Sequence, residues 1–227
     1  PVASTTNFST SVVAEVESTN EVVSFDSITT NLLTYSQTFN QDEPWNLGNA
    51  TLDFESDTAP DGTTTATKLI PNTSDTRAHF IYHRLVSVSK IFSIYAKADG
   101  FDYVNVILQV GTNDSQAVQF NVSTGVIVTS VSATGTITDV GNGWYRCSII
   151  PSVAATSPLA LIQPNDGGTT DTTNYCRATA YAGDDTKGIL IWGAQLEATA
   201  LTGYLPTGAS SLSGLTTVTR GANGTTA

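Results

Sequence analysis

Hydrophobic and polar residues alternate along this chain in short bursts separated by Gly, Pro, Asn and Asp. Trp144, Arg146 and Ser148 alternate with Tyr145, Cys147 and Ile149, the two-residue period of a strand whose faces differ. Gly141-Asn142-Gly143 comes just before them, and such a triplet supplies the positive backbone torsions of a tight reversal. Residues 188–197 form an apolar run that carries Trp192, is broken at Gly193 and is too short for an ordinary helix. Its launching turn is 183–188. These two segments are expected to be inner strands of an antiparallel sandwich. Upstream, 51–55, 66–70, 77–88, 91–98 and 103–110 read as strands, and 117–121 with 126–131 as a hairpin about Ser123-Thr124-Gly125. Ala59-Pro60-Asp61-Gly62 is a turn. A Pro/Gly/Asp/Thr-rich excursion occupies 158–174. With no helical period, the expected class is all-β, an antiparallel β-sandwich.

The ends depart from this pattern. Val12, Val13, Val16, Val22, Val23 and Phe25 recur among Glu15, Glu17 and Glu21, which favours extended chain over helix. Residues 1–30 therefore read either as an arm that attaches to a sheet edge, in this or a neighbouring subunit, or as a first strand of the same sandwich. The domain proper is expected over 31–207. Residues 208–227, rich in Gly, Ser, Thr and Ala, read as a flexible tail or second arm.

Charge narrows the partners. A net charge of −11 with only 9 Lys and Arg argues against nucleic acid, which needs clustered cations, and against an anionic membrane surface. No run approaches the ~18 apolar residues of a membrane-spanning helix, so no membrane insertion is expected. The N-terminus has no signal-peptide pattern. Cys147 and Cys176 could pair, although a buried free thiol at Cys147 is the plainer reading.

Candidate chemistry is sparse. Trp144 and Trp192 are expected in the core. Trp45, after the turn Asp42-Glu43-Pro44, is either a platform for stacking a sugar or a hydrophobic plug at the end of the sandwich, and Tyr82 is a second carbohydrate-binding candidate. His79 and His83 fall on one face of a strand but roughly 13 Å apart, too far to share a metal unaided. Asp166, Asp171, Asp184 and Asp185 sit in polar turns and offer the hard oxygen ligands that calcium prefers. No pair of carboxylates stands out for glycosidase chemistry, and no nucleophile elbow, phosphate loop or zinc-protease motif occurs.

The segments ITDVGNGWYRCSI, YAGDDTKGILIWGAQLE and YLPT, following NLLTYSQTFNQDEPW, APDGTTTATKL, SIYAKADG and FNVSTG in that order, resemble a β-sandwich domain of bacteriophage virion proteins. Those domains are similar to carbohydrate-binding, concanavalin-like jelly rolls. The resemblance spans about residues 31–207. It implies a jelly-roll-like sandwich with extended terminal arms and a non-enzymatic structural protein of the virion. In that role it would be a capsid decoration (cement) or head-fibre protein, bound through its arms to the major capsid or other virion proteins. The alternatives are a tail-fibre or receptor-binding protein that recognises host surface glycan, and a polysaccharide-degrading enzyme. A homo-oligomer, a trimer among the options, fits symmetric virion sites. No cofactor is expected; a structural calcium is implied only by the resemblance.

Overall fold

The computed structural model describes residues 12–16, 21–39, 44–73, 78–85, 91–109, 115–152, 159–167, 181–198 and 200–220. Strands and turns make up this whole set, and two antiparallel sheets pack against each other as a β-sandwich. The first sheet runs in the order β10 (Val126–Val131), β9 (Ser115–Asn121), β8 (Tyr103–Gln109), β13 (Leu159–Asn165), β6 (Phe80–Arg84) and β3 (Trp45–Gly48). The second runs β11 (Ala133–Gly141), β12 (Trp144–Pro151), β7 (Ile91–Asp99), β14 (Gly188–Glu197), β5 (Ala66–Pro71) and β4 (Ala50–Asp57). Compared position by position, the two orders pair strands that are close in sequence: β10 with β11, β8 with β7, β13 with β14, β6 with β5, and β3 with β4. From β3 to β14 the chain crosses between the sheets at most of its connections and stays within one sheet at β4–β5, β8–β9–β10 and β11–β12.

The core lies between the sheets and follows the alternation. Ile81, Val104, Val106, Leu108, Val118, Phe120, Ala160 and Ile162 of the first sheet meet Leu69, Phe92, Ile94, Cys147, Ile149, Ile189 and Ile191 of the second. The Gly141-Asn142-Gly143 reversal forms as the sequence predicts, with all three residues at positive φ. Trp144 and Trp192 are buried on the inner strands β12 and β14, but they lie on the far face of the second sheet. There they pack with Ala59, Ala66, Leu190, Tyr95 and Tyr204. Their indole N–H groups donate to the Thr58 carbonyl and the Thr65 hydroxyl, both at 3.0 Å. The far face of the first sheet also has a cluster, Ile107, Ala117 and Leu161 with Phe80, Tyr82, Val131 and Leu159.

The terminal segments build a third sheet. β1 (Val12–Val16), β2 (Glu21–Asn31) and β15 (Leu212–Arg220) are antiparallel, with β2 in the centre. The register sets Val12 across from Phe25 and Phe25 across from Val218. Among the described residues β1 pairs with β2, and β2 pairs on its other side with the C-terminal strand β15. Residues 212–220, expected as part of a flexible tail, are a strand through this pairing.

Candidate functional site

The two terminal segments leave the sandwich side by side, and a dense set of hydrogen bonds fixes this root. Its origin is a defect in β14. β5 accompanies β14 only as far as the Thr67–Ile191 pair, and the register against β7 slips between Trp192 and Gln195. Gly193 makes this bulge with a φ of 64°, a left-handed conformation that glycine adopts without strain. Beyond it, among the described residues, no strand of the second sheet pairs with that side of β14, and its polar backbone groups need other ligands.

Residues 31–36 supply them. The Asn31 side chain is fully buried and uses its whole bonding capacity. Its Nδ2 donates to the carbonyls of Ala194 and Leu205, both at 2.9 Å. Its Oδ1 accepts from the amides of Leu33 at 3.1 Å and Leu196 at 3.2 Å. The Leu32 amide donates to the Leu196 carbonyl, and the Ala194 amide to the Ser36 carbonyl, each at 2.9 Å. Leu33 and Phe39 enter the inter-sheet core. Tyr35 and Phe39 hold positive φ without being glycine, a local strain that this packing sustains.

The C-terminal segment folds back to meet the same residues. Glu197, itself buried, accepts the Thr202 amide at 3.0 Å and the Thr202 hydroxyl. Gln195 donates to the Gly203 carbonyl at 3.0 Å and accepts the Leu205 amide at 2.7 Å. Arg146 donates to the Thr202 carbonyl and to Ser93 Oγ at 3.0 Å, and lies 5.4 Å over the Tyr95 ring. Tyr204 sits against Trp192 and Tyr95, and its hydroxyl is 2.7 Å from Ser36 Oγ. Burial pushes the Tyr204 phenol well above its ordinary value, so it stays a neutral hydrogen-bonding group. The Thr207 amide then donates to Ser36 Oγ at 2.9 Å, and the Tyr35 amide to the Gly208 carbonyl at 2.8 Å. The two segments are bonded together where β2 ends and before β15 begins.

Trp45 belongs to this root as its plug. It is fully buried, stacked edge-on with Phe39 at 5.1 Å and His83 at 5.0 Å, and its Nε1 donates to the Thr34 carbonyl at 3.0 Å. A sugar platform needs an open ring face, and Trp45 has none in this fold. His83 is buried beside it, with Nε2 3.4 Å from the Thr34 hydroxyl. Burial drives its pKa down to about 4, opposed weakly by the Arg84 backbone. His79 is also buried, bonded to the carbonyls of Asn49 at 2.6 Å and Tyr181 at 3.1 Å. Both histidines are internal bonding groups. Tyr82 lies half-buried on the far face of the first sheet, next to Phe80, with the Arg84 guanidinium 5.5 Å over its ring.

The turn carboxylates do not converge. Asp184 accepts the Thr186 amide at 3.0 Å and its hydroxyl at 2.6 Å, and pairs with Lys187 at 3.2 Å. These bonds hold its carboxyl down at about 2. Asp166 and Asp185 are exposed, and Asp171 lies outside the described residues. Among the described residues no group of three or more His, Cys, Asp or Glu could hold a metal ion. Cys147 is a buried free thiol, and burial pushes its pKa far up; Cys176 lies outside the described residues. The six apolar candidates for attachment, Val12, Val13, Val16, Val22, Val23 and Phe25, all fall on β1 and β2.

Of these features the sequence marks Gly193 and the arm residues. Asn31 looks like any turn asparagine, and nothing local shows that three of its four partners lie more than 160 positions away. The molecule is an all-β sandwich that carries an additional sheet made by its two termini. No family model matches the chain, and no curated protein matches it.

Proposed function

We propose that this protein is a non-enzymatic structural component of a bacteriophage virion, a capsid decoration or head-fibre protein that attaches through its paired terminal arms. One observation carries the reading. Both termini converge on a single root and continue as one three-stranded sheet, β1-β2-β15, built on a sandwich that is already complete. A sandwich with its own core does not need such an extension for stability. The extension does provide strand edges that can add to a neighbouring protein through backbone hydrogen bonds. The order of motifs resembling virion sandwich domains supports the same assignment, with the major capsid protein or another virion protein as the partner. The sandwich is then the displayed part.

The test is particle occupancy. Particles are reconstituted with the full chain or with a chain starting at Asn31, and bound copies are counted by cryo-electron microscopy. The full chain is expected on the head in many copies, and the truncated chain, still folded by circular dichroism, is expected to be lost from it. Equal occupancy by both chains overturns the arm-mediated attachment. A few copies confined to the tail favour the receptor-binding alternative. Sustained cleavage of host surface glycan by the purified chain overturns the non-enzymatic reading.

A further inference from the structure

The two sides of the sandwich treat their exposed strand edges in opposite ways. On one side the edge strands are β3 and β4. β3 has only four residues. β4 carries Asp53, Glu55 and Asp57, and its register breaks between Asp53 and Asp57, with Glu55 at positive φ. Short length, carboxylates and a bulge are the devices by which an edge resists pairing with another chain.

The other side carries a single carboxylate, Asp139, near the end of β11. Its edge strands are β10 and β11, which follow one another through Ser132. No charged residue occurs from 115 to 138, although the chain as a whole carries −11. β10 exposes Val126, Ile127 and Val128 at 50%, 41% and 47%. β11 pairs with β12 without interruption from Ala133 to Asp139. Thr134, Thr136 and Thr138 of that stretch are exposed. Among the described residues no strand pairs with the outer edge of β10 or β11.

We infer that this side is a homotypic interface, in which β11 of a second copy of this chain adds antiparallel to β11 about a two-fold axis at Thr136. The occupant follows from charge and register. A basic partner would be recognised by clustered carboxylates, and this edge has only Asp139, at one end of the paired stretch. A second copy carries the same large negative charge, so it approaches most closely where both surfaces are uncharged, and this edge meets that condition from 115 to 138, with the two Asp139 carboxylates set at opposite ends of the antiparallel seam. The threonine row is also self-complementary. A two-fold axis at Thr136 sets Thr134 against Thr138 of the other copy, twice, and Thr136 against itself. Cross-strand threonine pairs are favourable, and a two-fold interface needs this kind of self-matching patch. The exposed valines and isoleucine of β10 flank the seam on the same side. The interface lies on the sandwich and uses neither terminal arm, so it stands apart from the virion reading.

Sedimentation of the full chain tests it. The unmodified chain is expected to sediment as a dimer that dissociates on dilution. Thr136→Lys places two like charges on the axis and is expected to weaken the dimer about tenfold or more. The Thr136 hydroxyl also bonds Ser148 Oγ; Thr134→Lys leaves that bond in place and should weaken the dimer equally with an unchanged unfolding midpoint. In a Cys176→Ser background, Thr136→Cys should form an intermolecular disulfide on oxidation, whereas Thr51→Cys on the acidic β4 edge should not. A full chain that stays monomeric at all concentrations overturns the proposal. So does an oligomer indifferent to both lysines, or equal cross-linking from positions 51 and 136.

Discussion

Replacing Asn31 tests whether the root is what joins the arms to the sandwich. Asn31→Ala deletes four hydrogen bonds and leaves their backbone partners behind. Three of them, the Ala194 carbonyl and the amides of Leu33 and Leu196, are in buried bonds, while the Leu205 carbonyl is only partly buried. A buried polar group left without a partner costs roughly 1–3 kcal/mol. Taking the low end for the three buried groups and less for the fourth gives about 4 kcal/mol, a large fraction of the stability of an ordinary domain. Urea unfolding at neutral pH should show that loss. Amide exchange should show where it acts first: β2 and β15 should lose protection before β7 and β12 do.

Asn31→Asp makes the test sharper because its size is conserved. The carboxylate can still accept from Leu33 and Leu196 but now faces the carbonyls of Ala194 and Leu205, to which Asn31 donates. Burial and those carbonyls both disfavour the charged form, so the folded-state pKa of this aspartate is raised above its unfolded value. The folded state then binds the extra proton more tightly. Asn31→Asp should therefore be the less stable variant at neutral pH and should gain on Asn31→Ala as the pH falls through the raised pKa. If Asn31→Ala unfolds within about 0.5 kcal/mol of the parent chain, or if Asn31→Asp shows no such gain, the root does not depend on this side chain.

His83 makes a second pH prediction. It is neutral in the fold, and its depression from 6.5 to about 4 corresponds to about 3 kcal/mol. Because the unfolded chain takes up the proton first, that stability is complete above pH 6.5, declines as pH falls and is gone near pH 4. Denaturant titrations should show the decline, and His83→Phe should flatten it. Trp45→Ala removes a fully buried indole and should cost about 3–5 kcal/mol; any loss of glycan binding in that variant should track lost folding in melting curves. Cys147 should resist thiol reagents in a Cys176→Ser background, with labelling that appears only as denaturant unfolds the sandwich. Prompt labelling under native conditions would contradict its burial.

The sandwich was legible in the sequence because alternation is a local signal. Trp144 to Ile149, Ile91 to Ala98 and Tyr103 to Gln109 each declare a two-faced strand, and the glycines around Asn142 declare the turn between two of them. What alternation does not carry is which face meets which layer. Trp144 and Trp192 were expected in the core as the largest apolar side chains. The structure buries them on the far face of the second sheet, where the turn at 58–65 and the returning segment at 202–204 cover them and accept or approach their indole groups. The strand expected over 77–88 is described only as Phe80–Arg84, and its alternating partners Ile81 and His83 do face inward as the pattern requires.

The root was illegible for a different physical reason. Its bonds join residues 31–36 to 194–208, and no local pattern encodes a contact that long in sequence. The signal that was present, Gly193 inside an apolar strand, indicates a bulge and hence unpaired backbone groups, without naming what satisfies them. Trp45 shows the same limit: a tryptophan after a polar turn fits a platform and a plug equally, and only the arrival of Phe39, His83 and Thr34 around it decides for the plug. The arm strands show the converse. Val12, Val23 and Phe25 announce a strand in want of a partner, and Val218 lies in a segment whose composition reads as a flexible tail or second arm. A strand of such composition gains its order from a neighbour that offers a ladder. The root supplies that neighbour by bonding Tyr35 to Gly208 and Ser36 to Thr207, so that the end of β2 and the start of β15 lie side by side. Breaking the root should therefore separate the arms while leaving the β7–β12–β14 core paired, and that ordering of losses is the signature to look for in the exchange experiment.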